Sequence, residues 1–99
     1  MPAFDTQHME RLHAQELKDQ AMAKNVRLLE KVVPQARETC EFARALLRDS
    51  MPDSQERMKM RGLAINAYNA LTSLYHECGC ADLARDNYMT LRGLMEEFK

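Results

Sequence analysis

The stretch that constrains the fold most is residues 64–98, in which apolar residues recur in steps of three and four. This spacing is typical of helices that bury one face. The stripe before the break contains Ala64, Ala67, Leu71, Leu74 and Cys78, with Tyr68 and Tyr75 beside it. The stripe after the break contains Ala84, Tyr88, Leu91, Met95 and Phe98. Because Gly79 lies in a very short break between the two, the pattern predicts an αα-hairpin in which Gly79 takes a positive φ or closes the last helical turn.

Aromatic, apolar and small residues follow one another in a regular order through this hairpin. They are Tyr68, Leu71, Thr72, Tyr75, Gly79, Ala84 and Tyr88. Their order and spacing over residues 65–98 resemble a tetratricopeptide repeat, a family that pairs two antiparallel helices. No second copy of the pattern is found in the chain.

A stripe of polar residues follows one face of the first helix of this hairpin. In tetratricopeptide repeats the corresponding positions line a concave groove that binds peptides, so the resemblance implies a peptide-binding face here. Its residues are Asn66, Asn69, Ser73, His76 and Glu77. An ordinary solvated helix face is the alternative explanation for the same polar residues.

The first half of the chain predicts one long helix from about residue 6 to 49. Its apolar stripe contains Met22, Val26, Leu29, Val33, Ala36, Cys40, Ala43 and Leu47. The stripe passes through Pro34 without losing phase, and Pro34 removes the donor for the Glu30 carbonyl and clashes with it. We therefore predict a continuous helix that is kinked near Pro34. The alternative is that Pro34 begins a new helix at its first turn.

The clearest break follows at residues 49–53. Asp53 and Glu56 resemble a capping box, which predicts a helix over 54–78 and a last helix over 81–98. No strand signal appears in the sequence. The expected fold is all-α: one domain over residues 1–99, forming an antiparallel bundle of three to four helices with a tetratricopeptide-like C-terminal hairpin. In this bundle we expect the rings of Tyr68 and Tyr88 to be largely buried.

Charge and cysteine content restrict the class of partner and the compartment. The net charge is −1, with 14 basic and 15 acidic residues interspersed, so neither nucleic acid nor a membrane surface is an expected partner. Three cysteines, an odd number, and the absence of an apolar leader favour a reducing cytoplasmic location. No apolar run is long enough to span a membrane.

Two short motifs could hold a metal, but both have simpler explanations. His76, Cys78 and Cys80 form an H-x-C-x-C pattern, although structural zinc sites usually combine C-x2-C spacing with four ligands. Glu10 and His13 match half of a di-iron carboxylate motif whose second half is missing. No nucleophile, phosphate-loop or dinucleotide motif is present, so we expect neither an enzyme nor a cofactor.

These observations favour a non-catalytic protein–protein interaction module, an adaptor or small chaperone that binds a partner helix or peptide. Eight methionines agree with this hypothesis, since methionine suits adaptable binding surfaces. Two alternatives remain open. One is a self-associating structural bundle, in which the weakly amphipathic N-terminal helix completes a homodimer. The other is a metal-binding sensor that uses His76 and the cysteine pair.

Overall fold

The computed structural model describes residues 23–99, and they form an all-α fold. Helix α1 spans Val33–Asp49, α2 spans Gln55–Glu77 and α3 spans Ala81–Glu97. No strand occurs in the described range. Helix α2 packs against both α1 and α3, as expected for a bundle with short connections. The predicted helix start near residue 6 and the Glu10–His13 pair lie outside the described residues.

The connection between α2 and α3 is as tight as the sequence predicts. Gly79 has φ of +74°, which confirms the expected left-handed conformation. Around it, the Gly79 N–H donates to the His76 carbonyl at 3.0 Å, and the Cys80 N–H donates to the Tyr75 carbonyl at 2.8 Å. Carbonyls at the end of α2 thereby find donors within the turn.

Replacing Gly79 by Ala should destabilise the protein by about 1–2 kcal/mol, because an L-residue is strained at this φ. A Cβ at Gly79 would have no heavy atom within 4 Å, so steric crowding contributes nothing. Gly93 is a matched control, since it lies inside α3, its added Cβ is equally free of neighbours and its φ is not positive. Gly93→Ala should stabilise by about 0.5–1 kcal/mol. Urea denaturation of both variants tests the prediction, which is wrong if the two shift in the same direction.

The backbone stays helical on both sides of Pro34, and its hydrogen-bond pattern changes just before it. Residues 23–27 are helical, and a π-helical turn over Leu28–Val32 leads directly into α1. The Val33 N–H donates to the Leu28 carbonyl, which is the i→i+5 bond of a π-helix. A π-turn is one known way in which a helix accommodates a local disturbance.

Two residues of the apolar stripe in the first half of the chain lie outside the core, so their predicted positions are wrong. Val26 is 50% exposed and Leu29 is 39% exposed, although the unbroken apolar phase placed both in the core. A turn closed by an i→i+5 bond holds about one residue more than an α-turn, so residues before it slip in phase by up to about 100°. Only the part of the stripe that follows the π-turn therefore faces the hairpin.

Pro34→Ala should stabilise the protein by about 1 kcal/mol. The change restores a backbone donor and removes the ring from the helix, and this gain exceeds the small stabilisation that Pro gives by restricting the unfolded chain. The midpoint of urea unfolding and amide exchange at residues 28–36 provide the measurement. An unchanged or lowered midpoint would contradict the prediction that Pro34 destabilises this helix.

The core lies along the face of α2 that meets α1 and α3. Its buried apolar residues are Val33, Cys40, Ala43, Leu47, Ala64, Tyr68, Leu71, Tyr75, Ala84, Leu91 and Leu94. Tyr68 is 5% exposed, as predicted, but the prediction for Tyr88 is wrong, since that residue is 47% exposed. Asn87, which hydrogen-bonds to α2, marks the contact line on α3. Tyr88 follows it by about 100° around the helix, which turns its ring away from α2.

The N-cap of α2 also differs from the predicted capping box. Ser54, not Asp53, is the cap, and its Oγ accepts from the Arg57 N–H at 3.0 Å. Asp53 instead takes φ of +58° in the preceding turn, a conformation that Asp tolerates better than most residues. The cap therefore moves one residue along the chain.

Two arginines of α2 hold the C-terminal ends of both neighbouring helices. Arg57 donates from Nη2 to the Ser50 carbonyl at 2.6 Å and from Nε to Ser50 Oγ at 2.9 Å. Arg61 donates from Nη1 to the carbonyls of Met95 and Phe98. Because the helices are antiparallel, the N-terminal part of α2 lies beside both of these carbonyl-rich ends, where positive charge is favourable.

Candidate functional site

An open cleft of about 260 Å³ lies between α1 and α3, with α2 as its floor. It exists because α1 and α3 pack mainly on α2 and not on each other. The floor consists of Tyr68, Leu71 and Tyr75. The α1 wall contributes Arg37, Cys40, Glu41 and Arg44, and the α3 wall contributes Leu83, Asp86, Asn87 and Thr90. This cleft is the candidate functional site, since binding sites are usually concave and combine an apolar floor with a few polar groups.

The two tyrosines of the floor are largely buried but still line the cleft. Tyr68 is 5% exposed and Tyr75 is 8% exposed. They are seven residues apart, which is about 10.5 Å along α2. Neither hydroxyl has a hydrogen-bond partner within residues 23–99, and no polar side-chain atom in that range is sealed away from solvent without one. The phenol groups therefore offer free hydrogen-bonding capacity inside an otherwise apolar floor.

The surroundings of Tyr68 and Cys40 keep the phenol and the thiol of the cleft protonated. Burial raises the pKa of Tyr68, Cys40 and Glu41 raise it further, and Arg44 opposes them. The Tyr68 hydroxyl accordingly stays protonated at neutral pH. Burial and the nearby Glu41 also raise the pKa of the Cys40 thiol, so that Cys40 is a poor nucleophile.

Charged groups on the two walls are available to a partner. Arg37, Glu41 and Arg44 follow each other on α1 in steps of four and three, which places them on one face. Asp86 lies on the α3 wall. None of these four takes part in the ion pairs formed within residues 23–99, which join Lys24 to Glu77, Asp82 to Arg85 and Glu96 to Lys99.

The hydrogen bonds of Asn87 fix the position of α3 along the axis of α2. The Asn87 Nδ2 donates to the Tyr68 carbonyl and to Thr72 Oγ1, both at 2.9 Å. The Thr72 hydroxyl at the α2–α3 interface is thereby satisfied by a side chain of α3. The neighbouring Asp86 consequently lies level with the middle of the floor, between Tyr68 and Tyr75.

The residues that the sequence singled out for partner binding lie on the opposite side of α2. Asn66, Asn69, Ser73, His76 and Glu77 are all exposed. Asn66 precedes Tyr68 by two residues, and Ser73 precedes Tyr75 by two, so each pair points about 200° apart on the helix. Glu77 Oε2 lies 3.8 Å from Lys24 Nζ. That these polar residues bind a peptide stays a prediction.

The amino-acid sequence contains part of the signal for the cleft but does not predict it. Tyr68 and Tyr75 are seven residues apart, and so are Arg37 and Arg44, which places each pair on one helix face. The sequence does not show that these two faces meet, because that depends on the rotation of α1 against α2.

The residues proposed for a metal sensor are not gathered around one point. His76 is exposed, and Cys78 and Cys80 are partly buried free thiols. Across residues 23–99, no three His, Cys, Asp or Glu side chains come close enough together to hold a metal ion. None of the helices described there combines the length and apolar character needed to cross a bilayer.

Comparisons of the chain with protein-family models, with curated proteins and with solved structures give no match. The tetratricopeptide resemblance of residues 65–98 therefore stays a prediction.

Proposed function

We propose that this protein is a non-catalytic interaction module, an adaptor or small chaperone, that binds a segment of another protein in the cleft between α1 and α3. The observation that carries the proposal is the floor of the cleft, where two largely buried tyrosines lie beside Leu71 and their hydroxyls bond to no other group of residues 23–99. Aromatic residues with one polar end are favoured at protein interfaces. The cytoplasmic location and the tetratricopeptide-like character of α2 and α3 belong to the same proposal.

Site-specific photo-crosslinking in the native host tests this proposal. A photo-reactive amino acid at Leu83, on the α3 wall, should form an adduct with a partner protein. The same amino acid at Ser73 is the matched control, since Ser73 is also exposed but lies on the outer face of α2. Adducts at Ser73 and none at Leu83 would reject the cleft and favour the polar face that the sequence predicts.

Self-association is the second candidate, and specific exposed residues support it. Val26, Leu29 and Tyr88 are large apolar or aromatic residues with substantial exposure. A homodimer that covers one of these surfaces would explain why they are not polar. In the crosslinking experiment, adducts of twice the mass of the chain would support this candidate. Light scattering over a range of concentrations would then show a stable dimer.

A further inference from the structure

Resting on the proposed function, we infer that the partner segment is a helix carrying an acidic, a basic and an acidic residue at positions i, i+4 and i+7. The order of charge along the cleft supports this inference. Glu41 lies between Arg37 and Arg44 along the α1 wall of the cleft. Asp86 lies on the α3 wall, one residue before Asn87, which bonds to Tyr68 and Thr72 in the middle of α2. A partner with the inverse order of charge would place an opposite charge against each of these groups.

The heights of these residues follow from contacts in the structure. Cys40, Glu41 and Arg44 all lie close enough to Tyr68 to affect the pKa of its hydroxyl, so Tyr68 lies at the end of the cleft that residues 40–44 of α1 form. Arg37 lies seven residues before Arg44 on α1, and Tyr75 lies seven residues after Tyr68 on the antiparallel α2. Both displacements are about 10.5 Å in the same direction, so Arg37 and Tyr75 share the other end.

Each end of the cleft therefore combines a guanidinium with a phenol hydroxyl. Both groups donate hydrogen bonds to a carboxylate, and charge-assisted bonds of this kind are the stronger ones. In the middle, Glu41 and Asp86 stand on opposite walls at the height of Leu71. A lysine or arginine there would meet one carboxylate on each side.

A helix is the occupant that matches these spacings. Its residues at i and i+7 are about 10.5 Å apart, which equals the separation of the two arginine–tyrosine ends, and its i+4 residue falls between them. The cleft volume of about 260 Å³ admits side chains but not the body of a helix. The partner would thus lie along the mouth between α1 and α3 and insert apolar side chains over Leu71.

Three synthetic helical peptides that differ only at these positions test the inference against the full chain. One carries Glu, Lys and Glu at i, i+4 and i+7, the second carries Lys, Glu and Lys, and the third carries Gln at all three. By calorimetry or fluorescence anisotropy, the first should bind about tenfold more tightly than the third. A tenfold difference corresponds to about 1.4 kcal/mol, shared by three partly exposed ion pairs. The second peptide should bind more weakly than the third.

Charge reversal on the protein gives the complementary test. The double variant R37E/R44E should prefer the Lys–Glu–Lys peptide over the Glu–Lys–Glu peptide. Arg48→Glu is the matched control, since Arg48 is an exposed residue of α1 outside the cleft, and it should leave the order of affinities unchanged. Circular dichroism verifies that each variant is folded.

Two results would overturn the inference. Equal binding of all three peptides would show that the cleft does not select for charge, while the interaction-module proposal would stand. Failure of all three to bind would reject the helical occupant, and the crosslinking from Leu83 would then decide the proposed function on its own. A preference that Arg48→Glu reverses as strongly as R37E/R44E would also reject it, since the selection would arise from net charge.

Discussion

Replacing Tyr68 by Ala should destabilise the protein by about 3–5 kcal/mol, the usual cost of deleting a large aromatic side chain from a core. Tyr68 is 5% exposed and packs within the cluster that joins all three helices. Its removal opens a cavity at the centre of α2, where helices on both sides restrict relaxation. Guanidinium or urea unfolding at equilibrium, followed by circular dichroism, measures the effect.

Tyr88→Ala is the matched control, because it deletes the same side chain from the same hairpin. Tyr88 is 47% exposed, so the cost should stay below about 1 kcal/mol. Equal costs at both positions would contradict the burial difference between the two tyrosines. A Tyr68→Phe variant adds a second control, since it keeps the ring and removes only the hydroxyl. We expect it to retain nearly full stability but to bind the Glu–Lys–Glu peptide more weakly.

Replacing Arg57 by Ala should cost about 3 kcal/mol. Arg57 is 9% exposed. Its guanidinium donates hydrogen bonds to the carbonyl and to Oγ of Ser50, and it lies 5.4 Å from the centre of the Phe98 ring. Ser50 is itself buried, with its Oγ donating to the Leu47 carbonyl at 2.6 Å. Loss of the guanidinium leaves the Ser50 carbonyl without this donor, and hydrogen bonds from charged groups contribute about 1.5–3 kcal/mol. The contact with Phe98 adds about 0.5–1 kcal/mol.

Two further substitutions separate the hydrogen bonds of Arg57 from its packing. Arg57→Met keeps an apolar stem of similar length, and Arg57→Lys keeps the charge without the planar fork. Both should remain destabilised by at least about 1.5 kcal/mol. If Arg57→Met unfolds at the same denaturant concentration as the wild-type protein, the stabilisation comes from packing alone. Arg48→Ala on the exposed side of α1 should change stability by no more than about 0.5 kcal/mol.

Local sequence was sufficient to predict the helices and the turn between the last two. Helix formers and a repeat of three and four residues indicated helices on either side of Cys78-Gly79-Cys80, because this repeat follows directly from helical geometry. The short break predicts that Gly79 takes a positive φ or closes the last helical turn, and glycine adopts a positive φ without strain. Burial of Tyr68 agrees with the same repeat, since Tyr68 lies beside the apolar stripe of α2.

Tertiary structure alone decided how each helix is rotated against its neighbours. An apolar stripe covers an arc of about 100°, and that width does not distinguish Asn87 from Tyr88 as the residue facing α2. The bond from Asn87 to the Tyr68 carbonyl settles this choice on α3. The π-turn before Val33 shifts the helical phase of the preceding residues, so Val26 and Leu29 lie outside the core. A π-turn holds one residue more than an α-turn, and the spacing of the apolar residues does not show where such a turn occurs.

The cleft and the arginine caps depend on contacts between residues far apart in the chain. Arg61 and Phe98 meet only because α2 and α3 are antiparallel and in this register. Glu41 and Asp86 line opposite walls of one cleft only because α1 and α3 both pack on α2. The sequence by itself determined which segments are helical and which face of each is apolar, since both are properties of single helices. The site lies between helices, so only their packing could place it.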